Sequence, residues 1–274
     1  MPELDQTIRR YYERGQEAGR LTGGLRTGPL EFARTIALLE RFLPPAPLDI
    51  LDVGGGPGAY AAWLCDRGDR VHLVDPVELH VEQARAAHPQ VTAEVGDARR
   101  LRQDDGSVDA VLLLGPLYHL VDGADRLRAL GEARRVLRPG GVLVAAAISR
   151  YAGLLDLLAA ERLHEPDVRP IVAAALKDGA FLGDVDGLFT TAYFHFPRDL
   201  RAEVTEAGFS GVQVLNIEGP AFMVADFERR WADPLQRETM LWAAEIVESE
   251  PEMLAAASHL LAVGHFLPGP GTRS

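Results

Sequence analysis

The stretch Leu51–Tyr60 reads LDVGGGPGAY, and it limits what this chain can become. The apolar run Leu48–Val53 ends in a glycine cluster, and a helical pattern starts at Ala59. That is a strand, a tight loop and a helix. Gly54, Gly55, Gly56 and Gly58 leave the backbone bare where the chain turns over the strand end. Glycine permits positive φ and close approach by a ligand. An open α/β sheet binds ligands at such loops, outside the carboxyl ends of its strands. Asp52 stands two residues before the first glycine. Gly54, Gly56 and Ala59 also satisfy the dinucleotide pattern G-x-G-x-x-A, so the loop alone leaves the ligand open.

The rest of the chain supplies the sheet. Apolar runs near 48–53, 70–75, 91–95, 108–114 and 142–148 alternate with helical patterns near 58–68, 77–88 and 123–137. Such alternation demands right-handed parallel crossovers with helices on both faces. Residues 1–43 read as helices, with Gly23–Gly24 as a break and Pro29 opening the second one. Beyond 150 come helical stretches at 153–163 and 168–177 and a turn-rich GDVDG. A helix from Pro197, a strand at 212–217, helices within 220–257 and a last strand at 258–267 follow. The expected organisation is an N-terminal helical lid, 1–43, and one α/β domain, 44–274. Insertions 150–195 and 220–257 would form a cap.

Charge and composition remove several classes of function. The net charge is −12 and the pI near 5.1, an unfavourable field for nucleic acid. Cys65 is the single cysteine, so no intrachain disulfide or cysteine metal cluster can form. Asp184 and Asp186 beside Gly183 and Gly187 read as a turn, too few oxygens for a metal cage. MPELDQTIRR has no apolar core, which argues against a signal peptide, and the longest apolar run, Val142–Ile148, is far short of a span. The expectation is a cytoplasmic protein with no membrane and no nucleic-acid partner. The pattern leaves the oligomeric state open.

Asp75 ends the second strand, followed by Pro76, about 20 residues past the glycine loop. A carboxylate there can accept from both ribose hydroxyls of an adenosine. VGDAR places Asp97 and Ala98 after the third strand, and VDAVLLLGPLYHL carries Leu114, Gly115, Tyr118 and His119 past the fourth. ARRVLRPGGVLV then leads into the fifth. Taken in this order and spacing, these motifs resemble those of class I S-adenosylmethionine (SAM) methyltransferases. The likeness is closest to bacterial small-molecule enzymes with GPLYHL after strand 4. It is strong over roughly 50–148 and thin beyond 150, where acceptor recognition lies. It implies a Rossmann-like doubly wound sheet of seven strands, the last antiparallel and inserted between the fifth and sixth. It also implies that Asp52 and the glycines hold SAM. Asp97 would meet the adenine amine and the Ala98 N–H a ring nitrogen. The Leu114 or Gly115 carbonyl would accept from the cofactor amino group. The Asn/Asp-Pro-Pro-Tyr/Phe signature of many amino-group and nucleic-acid methylases is missing, which speaks against base methylation.

The function so implied is methyl transfer from SAM to an O, N or C atom of a small organic acceptor, in specialised metabolism. A hydroxyl or carbon acid also needs its proton removed, and a histidine near neutrality suits that task. His119 is the first candidate and His195 the second, with Tyr118 beside the transferred methyl. Arg20 is placed to meet the cofactor carboxylate through a bidentate pair. Tyr11 and Tyr12 either cover the cofactor or pack. Two other readings stand beside this one: a non-catalytic SAM-binding protein on the same fold, and an adenine-dinucleotide oxidoreductase.

Overall fold

The computed structural model describes residues 5–15, 17–21, 27–182 and 188–267. Gly23–Gly24, the GDVDG turn with its two aspartates, and the tail from Pro268 lie outside these residues. Helices α1 (Gln6–Tyr12), α2 (Glu17–Gly19) and α3 (Gly28–Phe42) come first. The glycine-loop half follows: β1 (Asp49–Val53), α4 (Ala59–Arg67), β2 (Arg70–Asp75), α5 (Glu78–Ala87) and β3 (Thr92–Val95). Next are β4 (Val108–Leu113), α6 (Pro116–His119), α7 (Gly123–Val136) and β5 (Leu137–Ser149). The first insertion holds α8 (Ala152–Ala159), α9 (Val168–Asp178), β6 (Ala180–Phe181) and β7 (Ala192–His195). The chain closes with α10 (Pro197–Glu206), β8 (Ser210–Asn216), α11 (Phe227–Ala232), α12 (Pro234–Ile246) and β9 (His259–His265).

Strands β3-β2-β1-β4-β5 are parallel neighbours. The last strand, β9, runs antiparallel between β5 and β8, as the sequence motifs imply. The sheet has nine strands, however, not seven. β4 pairs with β5 only as far as Ala145, which leaves the far end of that edge open. β7 takes it, with Phe194 opposite Ile148 and His195 opposite Ser149, and β6 pairs antiparallel with β7. Strands of two and four residues are too short to carry an alternation that stands out from the surrounding helices.

The period of two along each strand divides the core. Ile50 and Leu73 face α3, α4 and α5 through Leu38, Leu39, Leu64 and Val81. Leu51 and Val53 face α7 and α10 through Leu130, Ala133, Leu200 and Val204. Each insertion has a small core of its own. Val168, Val172, Phe181 and Phe194 pack on Tyr118 and Ile148, while Phe227 and Ala221 pack on Leu30 of α3. No helix among the described residues is long and apolar enough to cross a membrane.

Candidate active site

The glycine loop is wedged between two neighbours. Gly54 has φ 71° and donates its N–H to the Val74 carbonyl at 2.6 Å. A Cβ there would lie 2.7 Å from Pro116, and one on Gly55 2.5 Å from the Asp52 carboxylate. Any side chain at these positions would force β1 away from α6 or from its own Asp52. Above the loop, outside the carboxyl ends of β1, β2, β3 and β4, opens a cavity of about 390 Å³.

Nine of the residues singled out from the sequence line this cavity: Gly54, Gly56, Asp75, Pro76, Asp97, Ala98, Gly115, Tyr118 and His119. Asp75 is buried and fixed by the protein itself. Its Oδ2 accepts from Gly56 N–H at 2.9 Å, and its Oδ1 from Val77 N–H at 2.9 Å and His80 Nδ1–H at 3.1 Å. Asp97 accepts from the Arg99 backbone at 2.8 Å and from the Arg99 guanidinium, which also reaches Asp125 at 2.6 Å. Burial works to raise the Asp97 carboxyl, but the hydrogen bonds from Arg99 outweigh it and hold it below its usual range.

The other seven lie off the cavity wall, each for a visible reason. Asp52 shares the β1 face of Ile50, so it points beneath the loop. It is fully buried, and neither of its oxygens has a hydrogen-bond partner among the described residues. Burial first, and the nearby Asp75 charge second, push its carboxyl up to about 7. Gly55 rests on Asp52, and Gly58 begins α4 against His88 and Ala84. The Leu114 carbonyl accepts from the Tyr118 hydroxyl at 3.4 Å. Arg20 is taken by Glu17 at 2.7 Å and Glu31 at 2.6 Å. Tyr11 packs edge-on against Tyr12 and Phe189, behind the wall. His195 is fully buried on β7, its Nε2 3.1 Å from Glu203, which also binds Arg126 at 2.7 Å. Burial works to raise the Glu203 carboxyl, but hydrogen bonds from His195 and Arg126 leave it at about 2.

The lining also includes Ile8, Arg9, Tyr12, Glu17, Val77 and His80. Of these, only Tyr12 was considered from the sequence, as a residue that either covers the cofactor or packs. Tyr12 and Glu17 belong to a segment whose distance from the glycine loop is invisible in sequence. His80 follows Asp75 by one helical turn, a spacing that does bring the two together. Among the described residues, the wall takes none from 150–257. The first insertion touches the site from behind, where Thr191 and Phe189 hold His119.

His119 sits among Tyr12, Tyr118 and Phe189, with ring centroids 5.3, 4.7 and 5.7 Å away. Its Nδ1 lies 3.3 Å from the Thr191 carbonyl and its Nε2 2.6 Å from the Tyr12 hydroxyl. A carbonyl only accepts, so the ring proton is on Nδ1 and Tyr12 donates to Nε2. Burial lowers the imidazole to about 4 against the opposing pull of Thr191, so it is uncharged at neutral pH. A histidine titrating near neutrality, the expectation from sequence, is therefore not what this environment produces.

A histidine of opposite behaviour lies beside the N-terminal segment. His259 bonds Glu218 and stands 3.8 Å from Glu31. Burial alone would lower His259, but Glu31 and Glu218 raise it to about 9.

Residues 50–141 match a family model described as a methyltransferase domain. Over 105 residues the chain is 44% identical to an uncharacterised methyltransferase of Mycobacterium tuberculosis, covering 38% of this chain and 42% of that one. Over 145 residues it is 33% identical to a demethylmenaquinone methyltransferase of Deinococcus radiodurans, covering 50% and 58%. The chain thus spans less than two thirds of either relative's length. Its fold aligns with a SAM-dependent methyltransferase structure from Methanosarcina mazei at a TM-score of 0.58 and 17% identity, covering 85% of this chain and 98% of that one. Residues 50–141 thus resemble a methyltransferase domain, and the sheet around them shares the fold of the Methanosarcina structure.

Proposed function

We propose that this chain is a SAM-dependent methyltransferase acting on a small organic acceptor. The observation that carries the reading is one cavity into which the glycine loop, Asp75, Asp97 and the Tyr118-His119 pair all open. The residues fit the cofactor on two grounds. The loop is bare where a Cβ would collide. His80 Nε2, on the lining, is buried with no hydrogen-bond partner among the described residues. Asp75 would hold the ribose hydroxyls, Asp97 and Ala98 the adenine, and the glycine loop the amino-acid end. When bound, SAM supplies an electrophilic methyl group. The protein's part is then to align the acceptor with it and to exclude water.

A small acceptor is favoured by the chain's acidity and by the enclosed, aromatic end of the cavity formed by Tyr12, Tyr118 and His119. The Deinococcus relative is named a demethylmenaquinone methyltransferase. A place in specialised metabolism and in the cytoplasm belongs to the same proposal, and so do the lid over 1–43 and the cap formed by 150–195 and 220–257. Titration calorimetry tests the cofactor: SAM and S-adenosylhomocysteine should bind, and NAD should not. Binding of NAD in preference to both would favour the oxidoreductase reading. Mass spectrometry of metabolites incubated with methyl-labelled SAM tests transfer, and SAM binding without any transfer would favour a non-catalytic role.

A further inference from the structure

The tautomer of His119 bears on which group can touch the acceptor. Thr191 fixes the ring proton on Nδ1, so Nε2 carries a lone pair. That lone pair is already engaged by the Tyr12 hydroxyl at 2.6 Å. Both side chains line the cavity. Phe189 stacks on one face of the imidazole at 29°, and Tyr118 and Tyr12 meet it edge-on. The Tyr12 ring in turn lies edge-on to His80 at 5.2 Å, which fixes its own direction. An acceptor hydroxyl therefore cannot give its proton to Nε2 directly while this pair stands. It can give it to the Tyr12 oxygen, which keeps its own lone pairs.

Resting on the methyltransferase reading above, we propose that Tyr12 and His119 form a proton relay, with Tyr12 the catalytic residue that touches an ionisable acceptor hydroxyl of the phenol class. The acceptor O–H proton passes to Tyr12 Oη as the Tyr12 proton passes to His119 Nε2. The electron pair left on the acceptor oxygen forms the bond to the transferred methyl, and the pair of the broken C–S bond stays on sulfur. His119 ends as an imidazolium, donating from Nδ1 to Thr191 and from Nε2 to Tyr12. Its extra proton returns to water by the same route after the product leaves. The step moves one positive charge from the sulfonium to the imidazole and leaves the net charge of the cavity unchanged. Burial keeps His119 uncharged before the transfer and works against the imidazolium that the transfer forms. Tyr118 takes no part, because its hydroxyl is directed to the Leu114 carbonyl.

The test uses two phenols and one spectroscopic readout. At mildly alkaline pH 4-nitrophenol is largely ionised, and 4-methoxyphenol is not. Tyr12→Phe should lower methylation of 4-methoxyphenol by roughly 10²–10⁴-fold and leave 4-nitrophenol within a few-fold, because only the first needs a base. His119→Gln should show the same split. Independently of turnover, nitrogen NMR of the His119 ring should find Nδ1 protonated and Nε2 as acceptor. Tyr12→Phe should shift the Nε2 resonance alone. Equal loss on both phenols would make Tyr12 a packing residue and overturn the relay, as would an Nε2-protonated ring. Native protein that binds S-adenosylhomocysteine but methylates neither phenol would also overturn it, while leaving the cofactor reading intact. Failure to bind S-adenosylhomocysteine at all would instead bring down the methyltransferase reading.

Discussion

Asp75 and His119 line the same cavity and are held in opposite ways. Two backbone N–H groups from the turns after β1 and β2 and one imidazole from the first turn of α5 lock the Asp75 carboxylate. His119 stands on a four-residue helix, held by one carbonyl from the first insertion and one hydroxyl from a seven-residue helix. The first arrangement is part of the sheet, and it cannot loosen without opening β1 and β2. The second is assembled by three segments far apart in the sequence. Rigid positioning at the strand ends and separable aromatic contacts opposite suit one partner that is always the same and another that must enter and leave.

The largest effect should come from breaking the locked end. Asp75→Ala would leave the Gly56 and Val77 N–H groups and His80 Nδ1 without their acceptor. At about 1–3 kcal/mol for each of these three buried groups left unpaired, urea denaturation should show a loss of roughly 3–9 kcal/mol. Calorimetry should show SAM binding weakened in parallel. A variant within about 0.5 kcal/mol of native in stability would mean that this end is no more tightly held than the other.

This contrast also explains what was legible in the sequence. Strand, glycine loop and acid recur in order over 51–97, and each lies within a few residues of the element that positions it. Nine of the sixteen residues chosen from such signals line the cavity. The aromatic end is built by contacts across long separations. Tyr12 meets His119 over 107 residues, and His119 meets Thr191 over 72. His195 looked comparable to His119 because nothing local distinguishes a histidine on a cavity wall from one buried against Glu203. Asp52 belongs to the motif, but the parity of β1 turns it under the loop, and Arg20 finds Glu17 and Glu31 before it reaches any ligand.

The two ends should also respond to pH with opposite sign. Asp52, beneath the glycine loop, has its carboxyl raised from 3.8 to about 7. Between pH 4 and 7 the folded state keeps a proton there that the unfolded chain has lost. Stability from this group is therefore full below pH 4, falls as pH rises through 7, and is flat above. The shift corresponds to roughly 4 kcal/mol at most. Asp52→Asn should remove that fall, so the variant should gain on native protein between urea titrations at pH 5 and pH 8. An identical pH slope in both proteins would show that Asp52 is ionised in the fold.

At the aromatic end the sign reverses. The His119 imidazole falls from 6.5 to about 4, so the unfolded chain takes up a proton that the folded one refuses. Its contribution is full above pH 6.5 and is lost as pH falls through 4, by roughly 3 kcal/mol at most. His119→Gln should flatten the acid limb of stability between pH 6.5 and 4 without touching the alkaline side. An unchanged acid limb would mean that water reaches the ring and that the aromatic enclosure is looser than its contacts suggest.

The smallest expected effect tests whether β3 behaves as β2 does. Asp97 follows the strand as Asp75 ends its own, but it is half-buried and its main partner is a side chain, Arg99, rather than two strand-end amides. Asp97→Asn keeps an acceptor oxygen for the Arg99 backbone N–H and removes the charge opposite the guanidinium. Asp125 still holds the other side of Arg99, so the pair is not left open. Because the site is partly exposed and Arg99 keeps one carboxylate, the stability cost should stay at or below about 1 kcal/mol. SAM binding should weaken by more than that, since an amide can turn its NH₂ toward the adenine amine and place donor against donor. Thermal denaturation and calorimetry on the same sample separate the two. A stability loss comparable to that of Asp75→Ala would mean that Asp97 is a lock like Asp75. The cavity would then be rigid along its whole strand-end side, and recognition of the adenine would have to come from the Ala98 backbone alone.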